Sequence, residues 1–549
     1  MEKQNRLKID SNNSFNMLHY IKTSFAFLLV SIVSIHSSKA QQRLNIIPQP
    51  NHVEIKNGAS FYLSSEAVLV ASGESKSVAQ FFQNSLNQEK DLQPEISKKS
   101  TKQQIAFIEN KSLNEEAYQI EVNAEKITIT AAGKKGWFYG VQSLQQLLRS
   151  SLEIPSLFID DEPRFGWRAY MLDESRYFHG EGFVKLLLDE MANLKMNVFH
   201  WHLTDDAGWR IEIKKYPLLT EVGSKRSDSE IGTWKSDKTA GVPHSGFYTQ
   251  KQIKDIVAYA AERNITVVPE FEMPGHSSSA IAAYTWLGTA GKDIDVPIKF
   301  GRHYDNYDVT KPEVEQFVKD VLLEIFDLFP SEVIHIGGDE VGYKSWEDAE
   351  HVQKYMKEND IETPADLQIF FVNKISKFIE ANGRRMMGWN EIMGKNIHTG
   401  FEEKKDDKEA ETALAQNVVV HFWKGNLDLA TEAAEKGYDI VNSLHSNTYL
   451  DYGYKNISVE KAYSFDPIPK GLDAKYHKNI FGLGCQMWSE WTPTNDDVAH
   501  QTFPRIAAYA EVGWTNLENK DYESFEVTLR KLQQQWAEKG INYAKVLDN

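Results

Sequence analysis

Apolar positions along the chain follow two rhythms. In residues 41–160, short alternating runs mix with amphipathic stretches. Residues 67–71 and 125–131 have the pattern of strands, the second (EKITITA) alternating cleanly between apolar and polar. Residues 77–86 read as a helix, and 140–148 (GVQSLQQLL) form a good amphipathic helix. A small α+β domain is expected here, without a catalytic constellation. The run 155–163 (PSLFIDDEP) reads as the linker leaving it.

In residues 161–549 short apolar runs recur, each followed by a helical pattern. Strands are expected over 168–173, 197–203, 266–271, 332–337, 384–389, 417–423, 439–443 and 480–488. Helices such as 182–194, 249–263, 312–329 and 367–382 fall between them. Most of these strands are uniformly apolar, as strands of a parallel sheet covered on both faces are. Eight such units close most economically into a (β/α)8 TIM barrel. A doubly wound open sheet is the alternative, but no G-x-G-x-x-G opens a helix here. The expected fold class is therefore α/β, a TIM barrel preceded by the small α+β domain. Two polar insertions, 223–246 and 395–411, interrupt the rhythm, and an amphipathic helix over 522–539 closes the chain, with Gly540 as its stop signal.

In such a barrel, chemistry gathers where strands give way to loops. The expected strand endings are rich in aromatic and ionisable residues: Asp173 to Arg176, His200 to Asp206, Glu270 to His276, Trp389 to Glu391, His421 to Trp423, Tyr449 to Asp451 and Trp488 to Glu490. One ending stands apart. In 332–340 (EVIHIGGDE) an apolar, β-branched run is broken by Gly337-Gly338 and delivers two adjacent carboxylates, Asp339 and Glu340. Neighbouring side chains of a strand point to opposite faces, and two glycines let the backbone leave that geometry so that both acids share one pocket. One acid can then protonate a leaving group while the other, ionised, stabilises positive charge. The plainer reading of Asp-Glu after a strand is a helix N-cap.

Composition narrows the partners. The chain of 549 residues carries a net charge of −17 and no long basic run, which argues against nucleic acid or an anionic membrane as the main partner. Thirteen Trp and 23 Tyr are mostly core material, yet they also suit the flat apolar faces of sugars. Lys22 precedes an apolar run over 23–35 and a small-residue ending at Ala40. That run is too short to span a bilayer comfortably and reads as a secretory signal over 1–40, cleaved after Ala40, with Met17 a candidate start. The expectation is an exported protein, periplasmic or secreted, with no stable membrane span after cleavage. Cys485 is the single cysteine, so such a protein would have no internal disulfide.

The runs LDESRYF (172–178), NVFHWHLTDDAGWR (197–210), VVPEFEMPGH (267–276), HIGGDE (335–340) and FPRIAAYAEVGW (503–514) together resemble the β-N-acetylhexosaminidases of glycoside hydrolase family 20. The resemblance covers roughly 164–514, and the small preceding domain fits that family's layout. It implies an exo-acting, retaining hydrolase of terminal β-linked GlcNAc, with tolerance of GalNAc left open. The 2-acetamido oxygen of the sugar attacks its own anomeric carbon, so no enzyme nucleophile, metal or cofactor is implied. By motif position Glu340 is the acid/base and Asp339 orients the acetamide. Arg176, Asp451 and Glu490 would hold sugar hydroxyls, while Asp205 and His276 would tune Glu340. Trp389, Trp423 and Trp488 would wall the pocket, and Tyr449 would hydrogen-bond the acetamide oxygen. Three rivals stand beside this reading, one of them a different exo-glycosidase with a carboxylate nucleophile, which would also act on sugars lacking the 2-acetamido group. His200-x-His202 with Asp205 resembles the first ligands of a barrel metallohydrolase, although His276, His421 and His445 lack the order such a site needs. The third rival is a sugar-binding protein that kept the pocket and lost turnover. Oligomeric state is not legible.

Overall fold

The computed structural model describes residues 44–547 other than 100, 235, 302–304 and 396–408. The signal expected over 1–40 and most of the insertion expected over 395–411 lie outside these residues. The N-terminal part, up to Asp161, is built on a seven-stranded sheet. Its strands are β1 (His52–Ile55), β2 (Val68–Val70), β3 (Glu95–Ser97), β4 (Gln104–Glu109), β5 (Tyr118–Val122), β6 (Lys126–Ala131) and β7 (Leu157–Asp161), in the spatial order β1-β7-β5-β6-β4-β2-β3. Helices α1 (Ser75–Lys90) and α2 (Lys134–Leu147) accompany it. α2 starts six residues before the expected 140, because Gly136 and Gly140 let it lie close on the sheet. A Cβ on Gly140 would stand 2.6 Å from Ile129 Cγ2.

The linker expected over 155–163 is not one. Residues Leu157–Asp161 are β7, paired antiparallel with both β1 and β5. Its buried side chains Leu157, Ile159 and Asp161 alternate, which the flanking prolines and acids masked. Asp161 accepts from Tyr118 Oη at 2.5 Å, Trp514 Nε1 at 2.9 Å and Lys195 Nζ at 3.3 Å, a buried polar seam between this sheet and the rest of the chain.

The larger remainder of the chain is a closed barrel of eight parallel strands. They are β8 (Trp167–Asp173), β9 (Val198–His202), β10 (Thr266–Glu270), β11 (Val333–His335), β12 (Arg385–Trp389), β13 (Val418–Phe422), β14 (Asp439–Asn442) and β15 (Ile480–Met487). Every one falls where a strand was expected. Outward side chains such as Phe199, Trp201, Ile334, Val420 and Ile440 join the main core beneath the helices. Inward ones change character along the barrel. At the entry end Ala169, Val198, Val268, Met387, Val419 and Val441 pack with Trp167 and Val333. Above them lies a polar layer: His335 Nε2 is 3.2 Å from His421 Nδ1, and His421 Nε2 is 2.8 Å from Ser443 Oγ. The strands are thus apolar outside and graded inside, and the polar gradient ends at the site.

The helices carry their own start signals. Thr249 and Gln252 form a capping box on α4 (Gln250–Glu262), following α3 (Glu181–Asn193). A proline opens both α5 (Pro312–Leu328) and α6 (Pro364–Ala381). After α7 (Arg505–Trp514), the last helix α8 (Tyr522–Glu538) docks through Trp536 Nε1, 2.9 Å from Glu190 Oε2 on α3, and Gly540 follows it at φ 71°. No helix of the described residues is long and apolar enough to cross a membrane.

Candidate active site

β11 is three residues long, and the chain leaves it through Gly337 and Gly338 at φ 65° and 90°. A Cβ on Gly337 would meet Glu272 Oε2 at 1.7 Å, and one on Gly338 would meet Ile392 Cγ2 at 2.6 Å. Glycine is required at both. The Gly338 carbonyl accepts from Gln368 Nε2 of α6 at 2.8 Å, which fixes the turn from behind. Glu340 itself takes φ 49°, a conformation that costs a non-glycine residue about 1–2 kcal/mol. Through this turn two neighbours in sequence face one histidine. His276 Nε2 lies 3.8 Å from Asp339 Oδ2 and 3.9 Å from Glu340 Oε2.

A chain of charges continues from there. His276 Nδ1 is 3.3 Å from both Asp205 Oδ1 and Asp206 Oδ2. Burial works against a charged His276, but these carboxylates hold it protonated, well above the ordinary imidazole range. Burial would likewise raise Asp205, but Arg176, His276 and His202 keep it ionised, well below its usual range. Arg176 Nη2 sits 2.9 Å from Asp205 Oδ2 and 3.9 Å from Glu490 Oε1. Asp173 sets that guanidinium in place, with Oδ2 3.4 Å from Arg176 Nη1 and Oδ1 accepting from the Arg176 backbone N–H at 3.1 Å. Asp339 differs from Asp205. Burial raises it and the Glu340 charge adds to this; His276 only partly compensates, leaving it at about 6.

Aromatic rings enclose these groups. Trp389 is 1% exposed, donates to Glu270 Oε1 at 2.8 Å and stacks on His421 at 4.1 Å, so it forms the floor. Trp488 lies 5.9 Å from Trp389 and 6.2 Å from Tyr449, with the Arg176 guanidinium 5.0 Å from its ring. Tyr449 stacks with Trp423 at 6.0 Å and an interplanar angle of 10°. Asp451 faces Glu490, and burial together with that charge pushes it well above the usual carboxylate range. Two carboxylate oxygens in this enclosure, Asp339 Oδ1 and Asp451 Oδ1, are buried with no hydrogen-bond partner among the described residues. Such atoms suit the N–H and O–H donors of a polar ligand. All the residues expected at the site thus lie at one end of the barrel.

Three acid–histidine groups bring metal-ligand atoms within 4.8 Å of one another: His200/Glu270/His335, His202/Glu270/Glu272 and Asp205/Asp206/His276. Asp205, Asp206 and Asp339 favour the protonated form of His276, with which a metal ion would have to compete. Burial opposes charge on His202 too, yet Glu270 and Asp205 push it up to about 10. Glu270 meanwhile lies 2.8 Å from His200 Nε2 and 3.0 Å from His335 Nδ1. Glu270 thus ties His200, His202 and His335 into one buried network.

Residues 165–517 match the model of the glycosyl hydrolase family 20 catalytic domain, and residues 43–162 match domain 2 of the same family. The chain belongs to glycosyl hydrolase family 20. A β-hexosaminidase of Porphyromonas gingivalis is 34% identical over 91% of this chain, which spans 64% of that protein's length. A β-hexosaminidase of Vibrio furnissii is 32% identical, with 86% of this chain and 76% of that protein aligned. Among solved structures, an exo-β-N-acetylglucosaminidase of Vibrio harveyi bound to N-acetylglucosamine superposes with a TM-score of 0.79 at 29% identity, covering 92% of this chain and 79% of that one. A β-N-acetylhexosaminidase of Bacteroides fragilis gives 0.76 at 28% identity, covering 91% and 96%.

Three further carboxyls of this family 20 site escaped the sequence reading. Asp173 fixes Arg176. Glu272 lies beneath the two glycines, and burial with the charges of Asp339 and Glu270 pushes it well above its usual range. Glu391 accepts from Trp423 Nε1 at 2.8 Å. All three stood in the strand endings singled out above, but nothing local says which carboxyl of an ending turns inward.

Proposed function

We propose that this family 20 chain is an exo-acting β-N-acetylhexosaminidase that releases terminal β-linked GlcNAc with retention, assisted by the sugar's own 2-acetamido group. The observation that carries the reading is the pairing of Asp339 Oδ1, buried and without a partner among the described residues, with the more exposed Glu340 beside it. In this reading Asp339 Oδ1 accepts the acetamide N–H, and Tyr449 donates to the acetamide oxygen so that it lies in line with the anomeric carbon. Glu340 protonates the leaving oxygen, and the cyclised oxazolinium is then opened by water that Glu340 deprotonates. Holding the internal nucleophile at the reacting carbon replaces a bimolecular encounter with an intramolecular one. Arg176, Asp451 and Glu490 take the sugar's hydroxyls, Trp423 and Trp488 flank its faces over the Trp389 floor, and Asp205 acts through His276 on the acid pair.

The carbohydrate partner is thus a GlcNAc-terminated oligosaccharide or glycoconjugate. Proton NMR of a β-linked N,N′-diacetylchitobiose digest tests this directly. The β anomer of GlcNAc appears first from the cleaved residue if the reading holds, and α-GlcNAc appearing first contradicts it. The segment 1–40 further supports export to the periplasm or the medium. N-terminal sequencing of the exported protein should begin at Gln41, and an intact leader on active protein would refute that.

A further inference from the structure

Asn390 and Glu391 open a helical turn, Asn390–Met393, directly after β12, and both are buried. Between them they hold the next strand's ending at four points. Asn390 Oδ1 accepts from the backbone N–H of Trp423 at 3.0 Å and of Lys424 at 3.3 Å, and Asn390 Nδ2 donates to the Lys424 carbonyl at 3.1 Å. The fourth is the Glu391 Oε2 bond to the Trp423 indole N–H, at 2.8 Å. The same turn supports the acids, since Ile392 Cγ2 is the atom a Cβ on Gly338 would strike. Trp423 is only half-buried, and its face is parallel to Tyr449. Backbone bonds from Asn390 fix where the tryptophan starts, and the bond from Glu391 fixes where its ring points.

We propose that Asn390 and Glu391 are positioning residues that lock Trp423 as the wall of the acyl pocket, and so set which N-acyl group on the sugar the site accepts. The inference rests on the reading that this aromatic enclosure takes the acetamide. A wall held by a directed hydrogen bond discriminates by a methylene, a difference worth about 10–200-fold in a close-fitting apolar pocket. An indole that can swing widens the pocket and loses that discrimination. Burial and the neighbouring Asp339 charge push Glu391 up to about 8, and a glutamine in its place keeps an oxygen that accepts from the Trp423 N–H.

Calorimetry with glucose, N-acetylglucosamine and N-propionylglucosamine tests the assignment in the full chain without requiring turnover. The wild type should bind the N-acetyl sugar at least tenfold more tightly than the N-propionyl one. Glu391→Leu should shrink that ratio at least fivefold, whereas Glu391→Gln, which keeps an acceptor, should hold it within twofold. Trp423→Phe removes the same bond from the other side and should shrink the ratio as Glu391→Leu does, which covers the case of a Leu variant that does not fold. A merely structural role would weaken both sugars alike and leave the ratio unmoved. An unmoved ratio in Glu391→Leu or Trp423→Phe overturns the proposal, as does a loss in Glu391→Gln equal to that in Glu391→Leu. If the wild type binds N-acetylglucosamine no better than glucose, the acetamide reading itself fails and the inference falls with it.

Discussion

Asp339 and Glu340 are adjacent in the chain yet meet different surroundings. The Asp339 side chain is 11% exposed and that of Glu340 is 22% exposed. Burial lifts Asp339 from an ordinary 3.8 to about 6. A carboxyl raised on folding binds more protons native than unfolded between those values, so its contribution to stability falls as pH rises through that window and stays low above it. Ionised Asp339 therefore costs the fold up to about 3 kcal/mol at neutral pH. Asp339→Asn should raise the urea midpoint at pH 7, with the gain shrinking towards pH 4, while damaging turnover even of substrates with good leaving groups. An unchanged or lower midpoint at pH 7 would contradict the strain assigned to this carboxylate. Glu340→Gln should behave differently, nearly abolishing turnover where the leaving group is poor and sparing the first step where it is good. Equal losses on p-nitrophenyl and alkyl β-N-acetylglucosaminides would remove Glu340 from the acid role. Motif position named both acids, but the sequence could not foresee that Glu272 and Glu391 stand beside them, pushed up by burial and by the Asp339 charge. Their state depends on charges brought in from other strands.

Elements were legible wherever a single periodicity governed them. The eight barrel strands were readable because their outward positions are continuously apolar, and α5 because Pro312 marks its start, whereas α6 begins at Pro364, three residues before the expected 367. β7 was misread because Pro155, Pro163 and three acids outweighed the alternation of Leu157, Ile159 and Asp161, and because the partner of a buried acid lies far away, at Lys195. The turn after β11 is the element on which the site depends most. Gly337→Ala puts a Cβ 1.7 Å from Glu272 Oε2 at a φ of 65°, combining overpacking with a left-handed backbone. A loss of about 2–4 kcal/mol is expected, with turnover reduced far more than stability accounts for. Gly73→Ala is the control, since Gly73 has φ 57° but nothing within 4 Å, and should cost only about 1 kcal/mol with activity intact. Comparable effects at both positions would show that the backbone conformation alone, not the contact with Glu272, demands glycine in the turn.

At the scale of the whole molecule, the fold places an apolar plug at one end of the barrel, a histidine layer in the middle and the acids at the mouth. The sequence conveyed the barrel and its charged end. It set His200 and His421 among the endings at the mouth, whereas with His335 they lie buried in the middle layer and become a network only when the barrel closes. In the proposed mechanism the sugar's acetamide, not a protein carboxylate, attacks the anomeric carbon. The most direct test compares release of p-nitrophenol from the β-N-acetylglucosaminide and from the matching β-glucoside. Strong turnover of the first with none of the second is expected of that mechanism. Comparable turnover of both would contradict it and require an enzyme nucleophile, and binding of N-acetylglucosamine without turnover of either would make this a sugar-binding member of the family.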